Sequence, residues 1–303
     1  MIELHRLMLR DQIRVEHYAK AIAEQVHEND IVVDLGAGTG LLAMLCARAG
    51  AAKIHAIEAS DVAAWGKKIV ARNGFDRQVT WHLRPSYEVN LKKRAHVLVT
   101  ETFGSHPFEE NVHEFVRDAR ERLLIGDTRL IPRSVSTYLV PICAPLLRAD
   151  KDLFSFPIAG FDYRLLRPFS LGVMYAELID PTTLMSEACC LETVELGSST
   201  KSKRQNHCEF VFTRDGTCDG LCQWFELDLG GDVRLSTAPH LPKTHWRQIY
   251  YPFDQSVPVR KDEKIAVTLN LDTRLEVGIQ VSWQVAIFDR GQTKYRYQSP
   301  EAQ

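Results

Sequence analysis

The chain has 303 residues, of which 45% are hydrophobic and 25% are charged, and its formal net charge is -2. A chain of this length and composition holds one large globular domain or two ordinary ones. The charge balance argues against nucleic acid as a partner, and no apolar run reaches the ~20 residues that span a bilayer. The N-terminus lacks the pattern of a signal peptide. We therefore expect an intracellular, cytoplasmic protein that binds neither nucleic acid nor membrane, with a nuclear location left open if the source is eukaryotic.

The first third of the chain alternates between helices and strands. Hydrophobic periodicity predicts helices at 3–27, 41–49 and 62–72, and buried runs predict strands at 31–33, 53–57, 79–83 and 96–100. This alternation predicts a parallel, doubly wound sheet with a Rossmann-like topology. We place this α/β domain at residues 1–131.

The pattern changes after residue 131. Short segments rich in Val, Thr, Tyr, Phe and Leu predict strands at 136–141, 190–195, 209–214, 222–229, 264–271 and 278–287. Glycine, proline and aspartate separate them, as in an antiparallel sheet or β-barrel. We place a β-barrel domain at 132–303. The irregular stretch at 144–180 contains several aromatic residues and is interpreted as an inserted arm.

The seven cysteines are an odd number, and five lie in the second half: Cys189, Cys190, Cys208, Cys218 and Cys222. With His207 they could suggest zinc, but the tight paired spacings of zinc modules are missing. We expect reduced, mostly buried thiols and no metal site.

A glycine loop follows the first predicted strand. Asp34 precedes Gly36, Gly38 and Gly40, which fall at alternate positions rather than in the Gly-x-Gly-x-x-Gly dinucleotide pattern. Glycines let the backbone turn sharply and approach a ligand closely. Glu58 ends the second strand, where a carboxylate can accept hydrogen bonds from both ribose hydroxyls. The pattern predicts an adenosyl cofactor.

Two glutamates follow the fourth strand of this domain. Glu101 stands at the carboxyl end of the strand, where sites in open α/β sheets are found. Gly104 and Pro107 turn the chain, so Glu110 can return to face Glu101. Two carboxylates held together repel unless a cation lies between them, and the planar guanidinium of arginine matches such a pair. Because that cation is a poor nucleophile, carboxylates that draw its charge toward some nitrogens would leave another able to attack a methyl group.

Four segments resemble motifs of the protein arginine methyltransferase family, and they occur along the chain in the same order as in that family. The stretch at 33–40 looks like its first cofactor motif, with Glu58 as the ribose-binding acid, and 100–111 looks like its double-E loop. The stretch at 5–14 is similar to the helix before the first strand, and 242–246 resembles the Thr-His-Trp loop. Four motifs in sequence are far more specific than any one of them.

The resemblance implies roles for the matching residues. Glu101 and Glu110 would bind the substrate guanidinium, and Arg14 would bind the carboxylate of the cofactor S-adenosyl-L-methionine. Asp11 would pair with the loop residue His245. The resemblance also places His5 in the cofactor site and Met8 and Trp246 in the substrate pocket.

The sequence also departs from the family pattern. It starts after the place of the N-terminal aromatic segment, and Thr102-Phe103-Gly104-Ser105 replaces Trp-Met-Gly-Tyr within the double-E loop. Tyr87 stands where the family has an adenine-binding acid, with Glu88 next to it, and both are candidate cofactor residues.

These features predict an arginine N-methyltransferase acting on protein or peptide arginine. The family resemblance also implies that the arm at 144–180 joins two copies into a homodimer. Two alternatives stay open: methylation of free arginine or a small guanidino compound, and an inactive partner subunit of an active homologue. The retained acidic pair argues against the inactive subunit.

Overall fold

The computed structural model describes residues 2–300. The helices are α1 Ile2–Arg10, α2 Gln12–Gln25, α3 Leu41–Arg48, α4 Val62–Arg72, α5 Val112–Arg122, α6 Pro145–Lys151 and α7 Arg167–Leu171. The strands are β1 Ile31–Leu35, β2 Lys53–Ile57, β3 Val79–His82, β4 Ala95–Thr100, β5 Leu124–Ile131, β6 Ser134–Ile142, β7 Tyr175–Glu177, β8 Cys189–Glu195, β9 Lys203–Val211, β10 Gly216–Gly230, β11 Val233–Ser236, β12 Gln248–Val259, β13 Lys264–Asp272, β14 Gln280–Asp289 and β15 Gln292–Gln298.

The chain divides into two compact units. Unit 1 runs to Val135 and also contains Val194–Thr200 and Glu226–Ser236. Unit 2 contains Ser136–Thr193, Lys201–Phe225 and the chain from Thr237 onward. The first unit therefore extends beyond residue 131 and includes two later segments that the sequence did not assign to it.

Unit 1 contains a five-stranded parallel sheet in the order β3-β2-β1-β4-β5. The strands are short apolar runs, as expected where helices cover both faces of a sheet. Val33 and Leu98 are fully buried and lie opposite each other in the register of β1 and β4. This arrangement confirms the predicted Rossmann-like fold, and it brings the glycine loop, Glu58 and Glu101 to the carboxyl edge of the sheet.

The predicted helix at 3–27 is two helices separated by Asp11. The Asp11 side chain accepts a hydrogen bond from the backbone N–H of Arg14 at 3.0 Å and so caps α2. Further along α2, the hydroxyl of the buried Tyr18 donates to the carbonyl of Thr100 at 3.0 Å. These contacts fix α2 against the end of β4. The double-E loop, residues 100–111, begins there and is called the acidic loop below.

Unit 2 is antiparallel and barrel-like, as the sequence predicted. One sheet has the order β7-β12-β10-β6-β8, and the other has the order β15-β14-β13-β9. β11 and the last residues of β10, with which it pairs, belong to unit 1. The hydrophobic core of unit 2 includes a cluster of buried side chains: Val140, Ile142, Ile179, Cys222, Trp224, Ala238 and Tyr250.

The stretch at 144–180 is more regular than the sequence suggested, since it contains α6, α7 and β7. Asp152 at the end of α6 accepts hydrogen bonds from Arg148 of the same helix at 2.9 Å and from Arg167 of α7 at 2.7 Å, and the second bond joins the two helices. Large apolar side chains are nevertheless exposed, among them Leu146 at 86% and Leu165 at 88%.

The expectation of reduced thiols is wrong for two cysteines. Cys189 of β8 and Cys208 of β9 form a disulfide, because these strands bring their Cα atoms to 6.6 Å. Cys190 is free and exposed, while Cys46, Cys218 and Cys222 are free and buried. Within residues 2–300, no group of three or more potential ligands could hold a metal ion. No helix in this range is long and apolar enough to cross a membrane.

Candidate functional site

A cavity of about 520 Å³ opens at the carboxyl edge of the sheet in unit 1. Its wall contains nine of the residues that the sequence singled out: His5, Met8, Arg14, Gly36, Gly38, Glu58, Tyr87, Glu101 and Glu110. Among residues 2–300, four other candidates of this unit do not line the cavity: Asp11, Asp34, Gly40 and Glu88. The predicted cofactor residues and the predicted acidic pair thus share one space.

The three glycines of the loop have different surroundings. Gly36 has φ +76°, and a Cβ there would lie 2.3 Å from Thr102 Cγ2. Gly38 has φ +52° and faces His5 Cε1, 3.4 Å from where its Cβ would be. Gly40 instead has its missing Cβ against Val70 and the Trp81 ring. Gly38 therefore leaves space in the cavity, whereas Gly40 allows close packing of α4 and β3.

Glu58 holds the glycine loop through its carboxylate. Its Oε2 accepts from the N–H of Gly38 at 2.9 Å, and its Oε1 accepts from the N–H of Ser60 at 2.8 Å. A carboxylate has about four lone-pair sites, so each oxygen can accept one further bond from a ribose hydroxyl. The cavity, the space at Gly38 and this acceptor together fit an adenosyl cofactor.

Asp34 is fully buried beneath this edge and does not reach the cavity. Burial raises the pKa of its carboxyl to about 7. Its position is that of a supporting group within β1, which differs from the direct cofactor contact expected for it.

Glu101 forms a buried ion pair with Arg14. The distance from Arg14 Nη1 to Glu101 Oε2 is 2.6 Å, and the two side chains are only 5% and 8% exposed. Arg14 Nη2 also donates to the carbonyl of Met8 at 2.8 Å. Burial raises the pKa of Glu101 to about 8, since the desolvation cost exceeds the stabilising effect of Arg14. The geometry shows that this carboxylate accepts a guanidinium.

Glu110 lies on the same wall in a more open position. Its pKa is raised, first by partial burial and then by the charges of Glu109 and Glu58. The cavity wall thus carries three carboxylates, Glu58, Glu101 and Glu110, against the guanidinium groups of Arg14 and Arg84. When Glu101 and Glu110 are ionised, the carboxylates outnumber these guanidinium groups by one, which favours a cationic ligand.

The candidate adenine residues separate in the structure. They follow each other in a 3-10 turn, Ser86–Glu88. Tyr87 is 58% exposed and lines the cavity, while Glu88 is exposed and does not. Tyr87, with its aromatic ring, is therefore the residue of this pair that faces the ligand space.

Sequence reasoning missed several residues of the cavity wall, including Ser60, Thr102 and Arg84. It also gave no role to Glu109, whose contacts lie within the acidic loop. The signal that could have indicated Glu109 is its position directly before Glu110.

The Thr-His-Trp loop belongs to unit 2. Trp246 is 3% exposed and meets the ring of Phe225 edge-on, with centroids 5.5 Å apart. The His245 ring lies 4.2 Å from that of Trp246. The pairing of His245 with Asp11 stays a prediction.

Comparisons with known proteins agree with this geometry. A family model described as the arginine methyltransferase oligomerization subdomain matches residues 136–286, and one described as ribosomal protein L11 methyltransferase (PrmA) matches residues 18–104. Among solved structures, the chain resembles a Trypanosoma brucei PRMT1 enzyme-prozyme complex with AdoHcy at TM-score 0.90 and 21% identity, covering 97% of this chain and 96% of that one.

Sequence relatives extend over most of the chain. "Arginine N(omega)-methyltransferase" of Streptomyces achromogenes subsp. streptozoticus is 30% identical over 286 residues, which is 91% of this chain and 78% of the relative. "Protein arginine N-methyltransferase 2" of Xenopus tropicalis is 28% identical over 306 residues, 94% of this chain and 70% of the relative. The chain belongs to the protein arginine N-methyltransferase family, whose enzymes use S-adenosyl-L-methionine.

Proposed function

We propose that this chain transfers a methyl group from S-adenosyl-L-methionine to a guanidinium nitrogen of protein or peptide arginine. The observation that carries the proposal is the common cavity, in which Glu101 and Glu110 lie on the same wall as Gly38 and Glu58. A cofactor held by the glycine loop would then place its methyl group beside a substrate guanidinium bound by the acidic pair.

Residues on the wall would provide each part of the cofactor site. Glu58 would accept bonds from the ribose hydroxyls, Tyr87 would face the adenine, and Arg14 with His5 would lie at the amino-acid end. When bound, the cofactor supplies an electrophilic sulfonium methyl group. Gly36 and Gly38 let the backbone approach it, because side chains at these positions would occupy the space.

The acidic pair would prepare the nucleophile. Both carboxylates would accept bonds from the guanidinium and draw its positive charge toward the bound nitrogens. The remaining nitrogen would keep its electron pair and form a bond to the methyl carbon, while the C–S bond of the cofactor would break and leave its electron pair on sulfur. It would then lose one proton, for which Glu110 offers a route to water because its side chain is more open than that of Glu101.

The test is the initial rate of methyl transfer for Glu101→Gln, Glu110→Gln and the double variant. Glutamine keeps the shape but cannot draw the charge, so each single change should lower the rate by two orders of magnitude or more, about 3 kcal/mol. If the pair acts as a unit, the double variant should lose little more. Rates within about threefold of wild type in either single variant would reject the acidic pair as the clamp.

A second candidate is methylation of free arginine. It is favoured by the 30% identical relative, which is named for arginine rather than for protein arginine. Mass spectrometry after incubation with labelled cofactor would separate the two, with Arg-Gly-rich peptides and free arginine offered together. A label found only on free arginine would replace the protein substrate in the proposal.

A third candidate is an inactive partner subunit, since one similar structure is named as an enzyme-prozyme complex. The acidic pair on the cavity wall supports an active chain instead. Methyl transfer by the purified chain alone decides between the two, because a partner subunit would need an active homologue in the assay.

We further propose a homodimer built through the arm, residues 144–180, and a cytoplasmic location. The arm exposes Leu146, Phe156, Phe161 and Leu165 by 86%, 69%, 68% and 88%. Trp65 on unit 1 is 63% exposed and would be open to contact by the arm of a second copy. Sedimentation of the wild type and of an arm deletion tests the dimer, and cell fractionation tests the location.

A further inference from the structure

Glu109 lies within the acidic loop and closes it into a turn. Its Oε2 accepts a hydrogen bond from the N–H of His106 at 3.3 Å, and its own N–H donates to the carbonyl of His106 at 3.0 Å. Burial raises the pKa of its carboxyl. The side chain is therefore directed into the loop rather than toward solvent.

Gly104 provides the space for this side chain. A Cβ on Gly104 would lie 2.0 Å from Glu109 Oε2 and 2.8 Å from Glu109 Cβ. Phe103 and Phe108 of the same loop are 4% and 0% exposed, so their side chains anchor the loop in the protein interior. Glu109 closes the turn between these anchors and Glu110.

We propose that Glu109 is a positioning residue that holds Glu110 in the substrate cavity. The inference rests on the proposed function, because it concerns the acidic pair of that site. Glu110 leaves the turn directly after Glu109, so the direction of its side chain depends on how the turn is closed. The Glu109 charge adds to that of Glu58 beside Glu110 and strengthens the attraction for a guanidinium.

The direct test is a double-mutant cycle on binding. The affinity for an arginine peptide would be measured by calorimetry in the presence of S-adenosylhomocysteine. Glu109→Ala should weaken binding about tenfold in the wild type but about twofold or less in a Glu110→Gln background, because the positioning effect passes through Glu110 and only the direct effect of the Glu109 charge remains. An equal loss in both backgrounds, or no loss in the wild type, would overturn the proposal.

Hydrogen exchange provides a readout that does not depend on activity. Protection of the His106 amide should be lost in Glu109→Ala and also in Gly104→Ala, whose methyl group would displace the Glu109 carboxylate. Glu109→Gln keeps an acceptor oxygen and should keep the protection while binding falls through the lost charge. Unchanged exchange in Glu109→Ala would show that Glu109 does not hold the turn.

Glu121 offers a matched control, since it is an exposed glutamate on α5, whose N-terminus follows the loop. Glu121→Gln removes the same charge and should change neither binding nor exchange; an effect as large as that of Glu109→Gln would overturn the local role. If the wild type methylates no arginine acceptor, the proposed function fails, while exchange at His106 still decides whether Glu109 closes the turn.

Discussion

Replacing Gly40 by alanine should destabilise the fold of unit 1. Its φ of +82° costs an L-residue roughly 1–2 kcal/mol. The new Cβ would also lie 2.7 Å from Val70 Cγ2 and 3.2 Å from the Trp81 ring. Overpacking of this kind costs about 1–3 kcal/mol, while the stiffer unfolded chain returns roughly 0.4–1 kcal/mol. The free energy of unfolding should therefore fall by about 1–5 kcal/mol.

Gly74 provides the matched control for this change. Its φ is +81°, nearly that of Gly40, but nothing lies within 4 Å of its Cβ position. Gly74→Ala carries only the conformational cost, so the difference between the two variants isolates the overpacking. Urea unfolding followed by circular dichroism measures both free energies. Equal values for Gly40→Ala and Gly74→Ala would refute the packing role of Gly40.

Gly38→Ala should weaken cofactor binding more than it lowers stability, which is the reverse of what we expect for Gly40→Ala. Its Cβ would lie 3.4 Å from His5 Cε1, a contact that small movements accommodate, so stability should match that of Gly74→Ala to about 1 kcal/mol. Because Gly38 lines the cavity, the methyl group would occupy cofactor space. Affinity for S-adenosylhomocysteine should fall at least about tenfold in calorimetry, or about 1.4 kcal/mol. Unchanged affinity would place the cofactor elsewhere.

Three further predictions concern the remaining parts of the site and the arm. Glu58→Ala should weaken cofactor binding at least about tenfold in a folded protein, because two charged hydrogen bonds are lost; calorimetry showing wild-type affinity would contradict the ribose role. Because Glu101 must be ionised to bind a guanidinium, kcat/KM should rise with pH and level off above about pH 8, and Glu101→Gln should lack this rise. The same raised pKa favours the folded state at low pH, and that contribution is lost as the pH rises through about 8. Deleting the arm should convert a dimer to a soluble monomer in sedimentation, and a wild-type monomer at micromolar concentration would count against the dimer.

The doubly wound sheet could be predicted because its strands are short apolar runs bounded by glycine and polar turns. The helix α5 could not, since its sequence is mostly charged and its inward face includes the buried polar residues His113 and Glu114. The break at Asp11 was hidden because the apolar spacing continues across it, and only the capping contact marks a new helix. β10 is longer than predicted because polar residues such as Asp219 are buried within it.

The candidate site was predicted in its composition but not in its contacts. Gly36, Gly38, Glu58, Glu101 and Glu110 do share one cavity. The packing role of Gly40 depends on Trp81, which is distant in sequence, so the spacing of the motif could not distinguish it from the other glycines. The disulfide between Cys189 and Cys208 likewise depends on how two strands meet in unit 2.

The discontinuous composition of unit 1 has a consequence for biosynthesis. Gln25 Nε2 of α2 donates to the carbonyl of Leu229 at 2.7 Å, within the returning segment Glu226–Ser236. While the ribosome is still translating the arm, α2 has no partner for this contact, and the cofactor-binding unit is incomplete. Completion of unit 1 must wait until most of the polypeptide has emerged, so the two units mature together rather than strictly in N- to C-terminal order.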